Sequence, residues 1–130
     1  MTLSKPRVPD IFVVDDDPEV GHALGRLLRS AGYAVASFTS AEAFLLDYPA
    51  PSTGLLVVDV RMPRMTGPEL QRCLVARGSR IPRLFISAVD DERVRAQVLA
   101  DGASGWLRKP VEGEDLLDWV AAHPPASELP

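Results

Sequence analysis

The sequence predicts an α/β fold: a doubly wound, five-stranded parallel sheet in the order 2-1-3-4-5, with helices on both faces. Three observations carry this. Ile11-Phe12-Val13-Val14 and Leu55-Leu56-Val57-Val58 are continuous apolar runs, the pattern of strands buried on both faces. Segments of helical periodicity alternate with such runs along the chain and are joined by short connections. Five strands linked by right-handed crossovers place a switch point between the first and third strands, and ligands of such sheets bind there, beyond the carboxyl ends of the strands.

The elements follow in order. Residues 1–9 read as a flexible lead-in. The first strand, Ile11 to Val14, ends in Asp15-Asp16-Asp17 and Pro18. Pro18 suits the first helical position and Asp17 the cap before it. Val20, Leu24, Leu27, Leu28 and Ala31 then recur at helical spacing, and Gly32 stops the helix. Tyr33 to Phe38 is the second strand. Thr39 or Ser40 caps the next helix, and Thr39 with Glu42 fits a capping box. A turn cluster of Pro49, Pro51, Ser52, Thr53 and Gly54 leads into the third strand, which ends on Asp59 and is stopped by Pro63 and Gly67. The third helix carries Leu70, Leu74 and Cys73, the latter as a small core residue. Leu84 to Ile86 is the fourth strand and ends at Ser87. A charged helix from about Asp91 to Ala100 follows. Gly105 to Arg108 is the fifth strand, ending at Lys109-Pro110, and the last helix spans about Gly113 to Ala122. The domain is thus residues 10–122, with 123–130 a disordered tail or the start of a linker.

Composition narrows the function. Fourteen Lys and Arg against 18 Asp and Glu give a formal net charge of −4, without the basic surplus of a sequence-blind nucleic-acid binder. No apolar run approaches the ~18 residues of a membrane span. Met1 to Pro9 carry no apolar run that would form a secretory signal, and a single cysteine, Cys73, suits a reducing compartment. A cytoplasmic location, with no membrane and no direct nucleic-acid contact, is the expectation.

The predicted topology brings the acidic turn and Asp59 together. Two carboxylates ~5 Å apart repel by roughly 3 kcal/mol at an effective dielectric of ~20. A hard divalent cation removes that cost, and Mg²⁺ favours a few carboxylates plus water and phosphate oxygens, with Mn²⁺ as the alternative. A capped helix N-terminus explains Asp17 but leaves Asp15 and Asp16 without a role. Strands 4 and 5 bring a hydroxyl, Ser87, and an ammonium, Lys109, to the same edge. A carboxylate nucleophile, a metal on carboxylates, a hydroxyl donor and a cation for phosphate oxygens are the parts of phosphoryl-transfer chemistry.

Four separated motifs stand in one order: Val13-Val14-Asp15-Asp16-Asp17, Val57-Val58-Asp59-Val60-Arg61-Met62-Pro63, Phe85-Ile86-Ser87-Ala88 and Leu107-Arg108-Lys109-Pro110. From residue 10 to about 122 the chain resembles the flavodoxin-like receiver domain of bacterial two-component response regulators, in the subgroup with Arg-Met-Pro after the acceptor strand. The resemblance implies that Asp59 accepts a phosphoryl group from a sensor histidine kinase. It implies that Asp16 ligates Mg²⁺ directly, that Asp15 does so mainly through water, and that Asp59 and the Arg61 backbone carbonyl complete the protein ligands. Lys109 would pair with Asp59 and then with the phosphoryl group, and Ser87 would engage a phosphoryl oxygen and draw its loop inward. Lys109–Pro110 would be cis. Trp106 stands at the aromatic switch position, where Tyr or Phe is usual, and Ser87 replaces the commoner Thr.

The implied partners are the kinase, a downstream protein target or an output domain outside this chain, and a second copy meeting through the fourth helix and fifth strand. Chemistry on the chain would be limited to its own phosphorylation and autodephosphorylation. A pseudo-receiver with a dead site is disfavoured by the intact set Asp15, Asp16, Asp59, Ser87 and Lys109. A phosphohydrolase of the haloacid-dehalogenase kind is disfavoured because Arg61 stands where a second, acid-catalyst Asp would be needed.

Overall fold

The computed structural model describes residues 8–127, so residues 1–7 of the lead-in and 128–130 of the tail lie outside the described residues. Five strands alternate with five helices: β1 (Ile11–Val14), α1 (Pro18–Ser30), β2 (Val35–Phe38), α2 (Ala41–Asp47), β3 (Leu55–Asp59), α3 (Gly67–Ala76), β4 (Arg83–Ser87), α4 (Glu92–Ala100), β5 (Gly105–Arg108) and α5 (Gly113–Ala122). The sheet is parallel with order β2-β1-β3-β4-β5, as the sequence predicts.

The continuous apolar runs split by parity onto the two faces, as a period-2 backbone requires. Ile11, Val13, Leu55, Val57, Leu84 and Ile86 meet α1 and α5 through Leu24, Leu28, Leu116 and Val120. Phe12, Val14, Leu56, Val58 and Phe85 meet α2, α3 and α4 through Phe44, Leu70, Leu74 and Val98. Each strand therefore anchors both layers, and its carboxyl end is held rigidly at one edge of the sheet. In register, Val14 pairs with Val58, and one residue further on Asp15, just past β1, stands beside Asp59, the last residue of β3.

Local signals hold in part. Asp17 caps α1, accepting from the Glu19 N–H at 3.0 Å, and Pro18 opens the helix. Ser40, not Thr39, caps α2, accepting from the Ala43 N–H at 3.0 Å. The capping box forms instead at Thr66 and Glu69, which bond each other's backbone N–H groups at the start of α3. β2 begins at Val35 rather than Tyr33, because the Gly32 turn returns the Tyr33 N–H to Leu28 O, and Asp10 Oδ2 takes the Ala34 N–H at 2.7 Å. Cys73 is half-buried rather than in the core. His123 stacks on Trp119, ring centroids 4.1 Å apart, and is half-buried.

The segment after α5 departs from a disordered tail over its described residues. Ala126 exchanges two backbone hydrogen bonds with Gly54, at 2.9 and 3.0 Å, in an antiparallel bridge beside the start of β3. Gly54 makes this close approach feasible: its φ is +107°, and a Cβ there would lie 2.7 Å from the Phe12 ring.

Candidate functional site

At the carboxyl edge of the sheet, β1 and β3 present Asp15 and Asp59 and the first βα turn presents Asp16. One carboxylate oxygen from each lies within 4.8 Å of the others. Asp15 and Asp59 are buried and Asp16 is exposed, so the cluster is open to solvent on one side. Asp15 Oδ1 accepts the Asp17 N–H at 2.9 Å, which fixes the carboxylate within its turn. The donors are all hard oxygens, with no His or Cys among them. That set fits Mg²⁺ or Mn²⁺ and not zinc.

Lys109 reaches in from the end of β5. Its backbone N–H donates to Ser87 O at 2.8 Å, and the Lys109–Pro110 peptide is cis, as the resemblance implies. The ammonium lies 2.8 Å from Asp15 Oδ2 and 3.4 Å from Asp59 Oδ1. The sequence reading pairs Lys109 with Asp59; the structure gives it both carboxylates, with Asp15 the closer. Burial works against the Lys109 charge, but the hydrogen bond and charge of Asp15, with Asp59, outweigh it and leave its pKa raised. Asp59 moves further. Burial and the neighbouring Asp15 carboxylate raise its pKa from 3.8 to about 6, against the opposing pull of Lys109.

Ser87 ends β4 and is buried. Its hydroxyl is engaged in its own loop: Oγ donates to Val89 O at 2.8 Å and lies 3.2 Å from the Val89 N–H, which donates back. Trp106 pairs in register with Phe85 and is half-buried, packed on the core cluster that includes Val98 of α4. Arg61 is exposed in the loop after β3.

Three features were not read from the sequence. Gly67 looked like a loop breaker, yet it is a contact residue: its N–H donates to Val60 O, and a Cβ there would lie 2.3 Å from the Asp59 carbonyl oxygen. Asp90 and Arg108 form an ion pair between the loop after Ser87 and the end of β5. Arg83, beside an apolar run, is buried and bonded to Gln71. Only the first left a usable signal, a glycine in the short loop behind the acidic strand end.

A family model described as the response regulator receiver domain matches residues 11–121. The response regulator protein TmoT of Ectopseudomonas mendocina is 44% identical over 107 residues, covering 82% of this chain and 49% of TmoT. The chain therefore spans about half the length of the curated relatives it matches. Among solved structures, response regulator StyR is 42% identical with a TM-score of 0.80, over 87% of this chain and 57% of that one. The FixJ-N crystal structure is 33% identical with a TM-score of 0.80, over 89% of this chain and 93% of that one. The expected topology and the match over nearly every described residue agree, and the chain belongs to the receiver-domain family of two-component response regulators, the phosphoryl-accepting switches of those systems.

Proposed function

We propose that Asp59 is the phosphoryl acceptor and that the donor is the phosphohistidine of a sensor kinase. The observation that carries this is the shared ammonium: Lys109 lies within 3.4 Å of both Asp59 and Asp15, while Asp16 completes the carboxylate cluster. An oxygen of ionised Asp59 attacks phosphorus in line, the phosphorus–nitrogen bond breaks, and the pair of electrons leaves with the imidazole. Lys109 then turns from Asp15 to the new phosphoryl oxygens. The acidic cluster would hold Mg²⁺ through Asp16 and Asp59, the Arg61 carbonyl, and Asp15 by way of water; that metal supplies charge neutralisation for the transferring group. The raised pKa of Asp59 supports this division of labour, since positive charge added beside it would lower that pKa and favour the ionised form.

Ser87 serves as the switch hydroxyl, exchanging Val89 O for a phosphoryl oxygen, and its loop carries the signal while Trp106, at the aromatic switch position, moves little. No helix of the described residues is long and apolar enough to cross a membrane. A cytoplasmic kinase partner, a downstream target or output domain, and a copy of this chain meeting the α4–β5 face complete the proposal. The exposed Arg61 gives no acid catalyst for turnover of outside substrates. Intact-mass analysis after incubation with a small acyl phosphate and Mg²⁺ tests the acceptor. One phosphoryl mass on wild type and none on Asp59→Asn is expected; equal labelling of both would overturn the assignment.

A further inference from the structure

The carboxyl end of α4 is tied to the core through a buried polar network that phosphoryl transfer does not use. Arg83 opens β4 with a side chain that is 6% exposed. Its Nε donates to Gln71 Oε1 of α3 at 2.6 Å, Nη1 to Ile81 O at 3.0 Å and Nη2 to Asp101 O at 3.5 Å. Gln71, fully buried, donates Nε2 to Val98 O at 3.2 Å. Two carbonyls at the carboxyl end of α4, Val98 and the cap residue Asp101, thus receive side chains from β4 and α3. No carboxylate pairs with Arg83 among the described residues; the negative end of the α4 dipole takes that place. Gly102 closes over the guanidinium so tightly that a Cβ would lie 2.8 Å from Nη2. Beyond it, the Ser104 N–H donates to Arg83 O at 2.8 Å, and Ser104 Oγ accepts the Arg83 N–H at 3.2 Å.

The amino end of α4 is held differently. Val98 is the only buried residue of this helix, and of the first half only Val94 is half-buried. Ala88, Val89 and Asp90 before it are exposed. What restrains them is the Ser87–Val89 turn, the Asp91 cap on the Val94 N–H at 3.2 Å, and the exposed Asp90–Arg108 pair. An exposed pair such as this contributes little, whereas breaking a buried charged network is costly.

We propose that Arg83, through Gln71, is a hinge pin for α4: it fixes residues 98–104, so that movement begun at Ser87 pivots only the amino-terminal half of the helix. Arg83 is a positioning residue here, remote from the reacting atoms, and the inference rests on the Ser87 switch reading above. The pivot carries displacement towards Arg93 and Arg95, which are exposed on that half, and leaves the α3–α4 seam unchanged.

Hydrogen exchange of the whole chain, with and without Mg²⁺ and beryllofluoride, tests it, with bound fluoride followed separately by ¹⁹F NMR. Amides of 89–95 are expected to change exchange rate by about tenfold on modification and those of 98–104 by less than about twofold. Replacing the network by apolar groups in Gln71→Leu with Arg83→Met leaves neither side chain orphaned, and there the change should spread to 98–104. Equal changes along all of α4 in wild type would overturn the hinge while leaving the switch intact. Confirmed fluoride binding with no change at 89–95 would remove the Ser87 reading and the hinge with it. The wild-type pattern decides even if the double variant does not fold; if it folds and its change stays confined to 89–95, Arg83 is not the pin.

Discussion

The ammonium of Lys109 lies closer to Asp15 than to Asp59, 2.8 Å against 3.4 Å. Asp59, the proposed acceptor, is therefore the less compensated of the two.

This has a pH signature. The folded-state pKa of Asp59 is raised from 3.8 to about 6. Between those values the native state keeps a proton that the unfolded chain has released. The associated stability is fully present below the unfolded value and is lost as pH rises through about 6. Urea unfolding in chelator should show Asp59→Asn gaining on wild type across that window, by up to about 3 kcal/mol for two pKa units. Parallel curves for the two proteins would contradict the buried, carboxylate-flanked environment of Asp59.

Metal should reverse the penalty. At Mg²⁺ about a hundredfold above its Kd, wild type should gain about 2.7 kcal/mol, or a Tm rise of roughly 5–10 °C for a domain this size. Asp16→Asn should melt higher than wild type in chelator, because one carboxylate leaves the cluster, and should respond less to Mg²⁺. Identical Mg²⁺ responses in calorimetry would mean that Asp16 is not a ligand.

Two glycines offer opposite outcomes. Gly67→Ala sets a methyl 2.3 Å from the Asp59 carbonyl oxygen, which cannot yield without moving β3, and 3.1 Å from the Phe85 ring of β4. A loss of roughly 2–4 kcal/mol with slower phosphoryl incorporation is expected. Gly21→Ala in α1 meets no heavy atom within 4 Å and should stabilise by up to about 1 kcal/mol through helix propensity. Denaturant melts of the pair check both signs.

Trp106 already rests on the core beneath α4, and its indole is larger than the usual switch ring. Rearranging a packed site around it is costly. In a Trp119→Phe background, emission should shift little on adding Mg²⁺ and beryllofluoride. A large shift would show that the ring changes environment and that the aromatic switch operates fully.

The strand ends were legible because burial on both faces leaves a continuous apolar run, and a carboxylate closing such a run stands out. Asp15 and Asp59 could then be brought together by topology alone. The caps were less legible. Thr39-Ser40-Ala41-Glu42 and Thr66-Gly67-Pro68-Glu69 both fit the same four-residue box, and the choice turns on where each helix starts by a single residue. Lys109 could be placed at the site but not given its nearer partner, since that depends on a side-chain path of several torsions. Arg83 was opaque because its partner, Gln71, lies on another helix, and a lone arginine before Leu84 reads as a solvated strand end. Ala126 was opaque for a related reason: its contact with Gly54 is backbone to backbone and leaves no side-chain signature.

That last contact sets the molecule's polarity. β3 carries Asp59 at one end and abuts the Ala126 bridge at the other, five residues and roughly 17 Å away. Ser127, the last described residue, therefore lies at the pole opposite the Asp15–Asp16–Asp59 cluster, which the described tail leaves open. A pull applied at Ala126 would be borne first by the two Gly54–Ala126 hydrogen bonds, in line with β3.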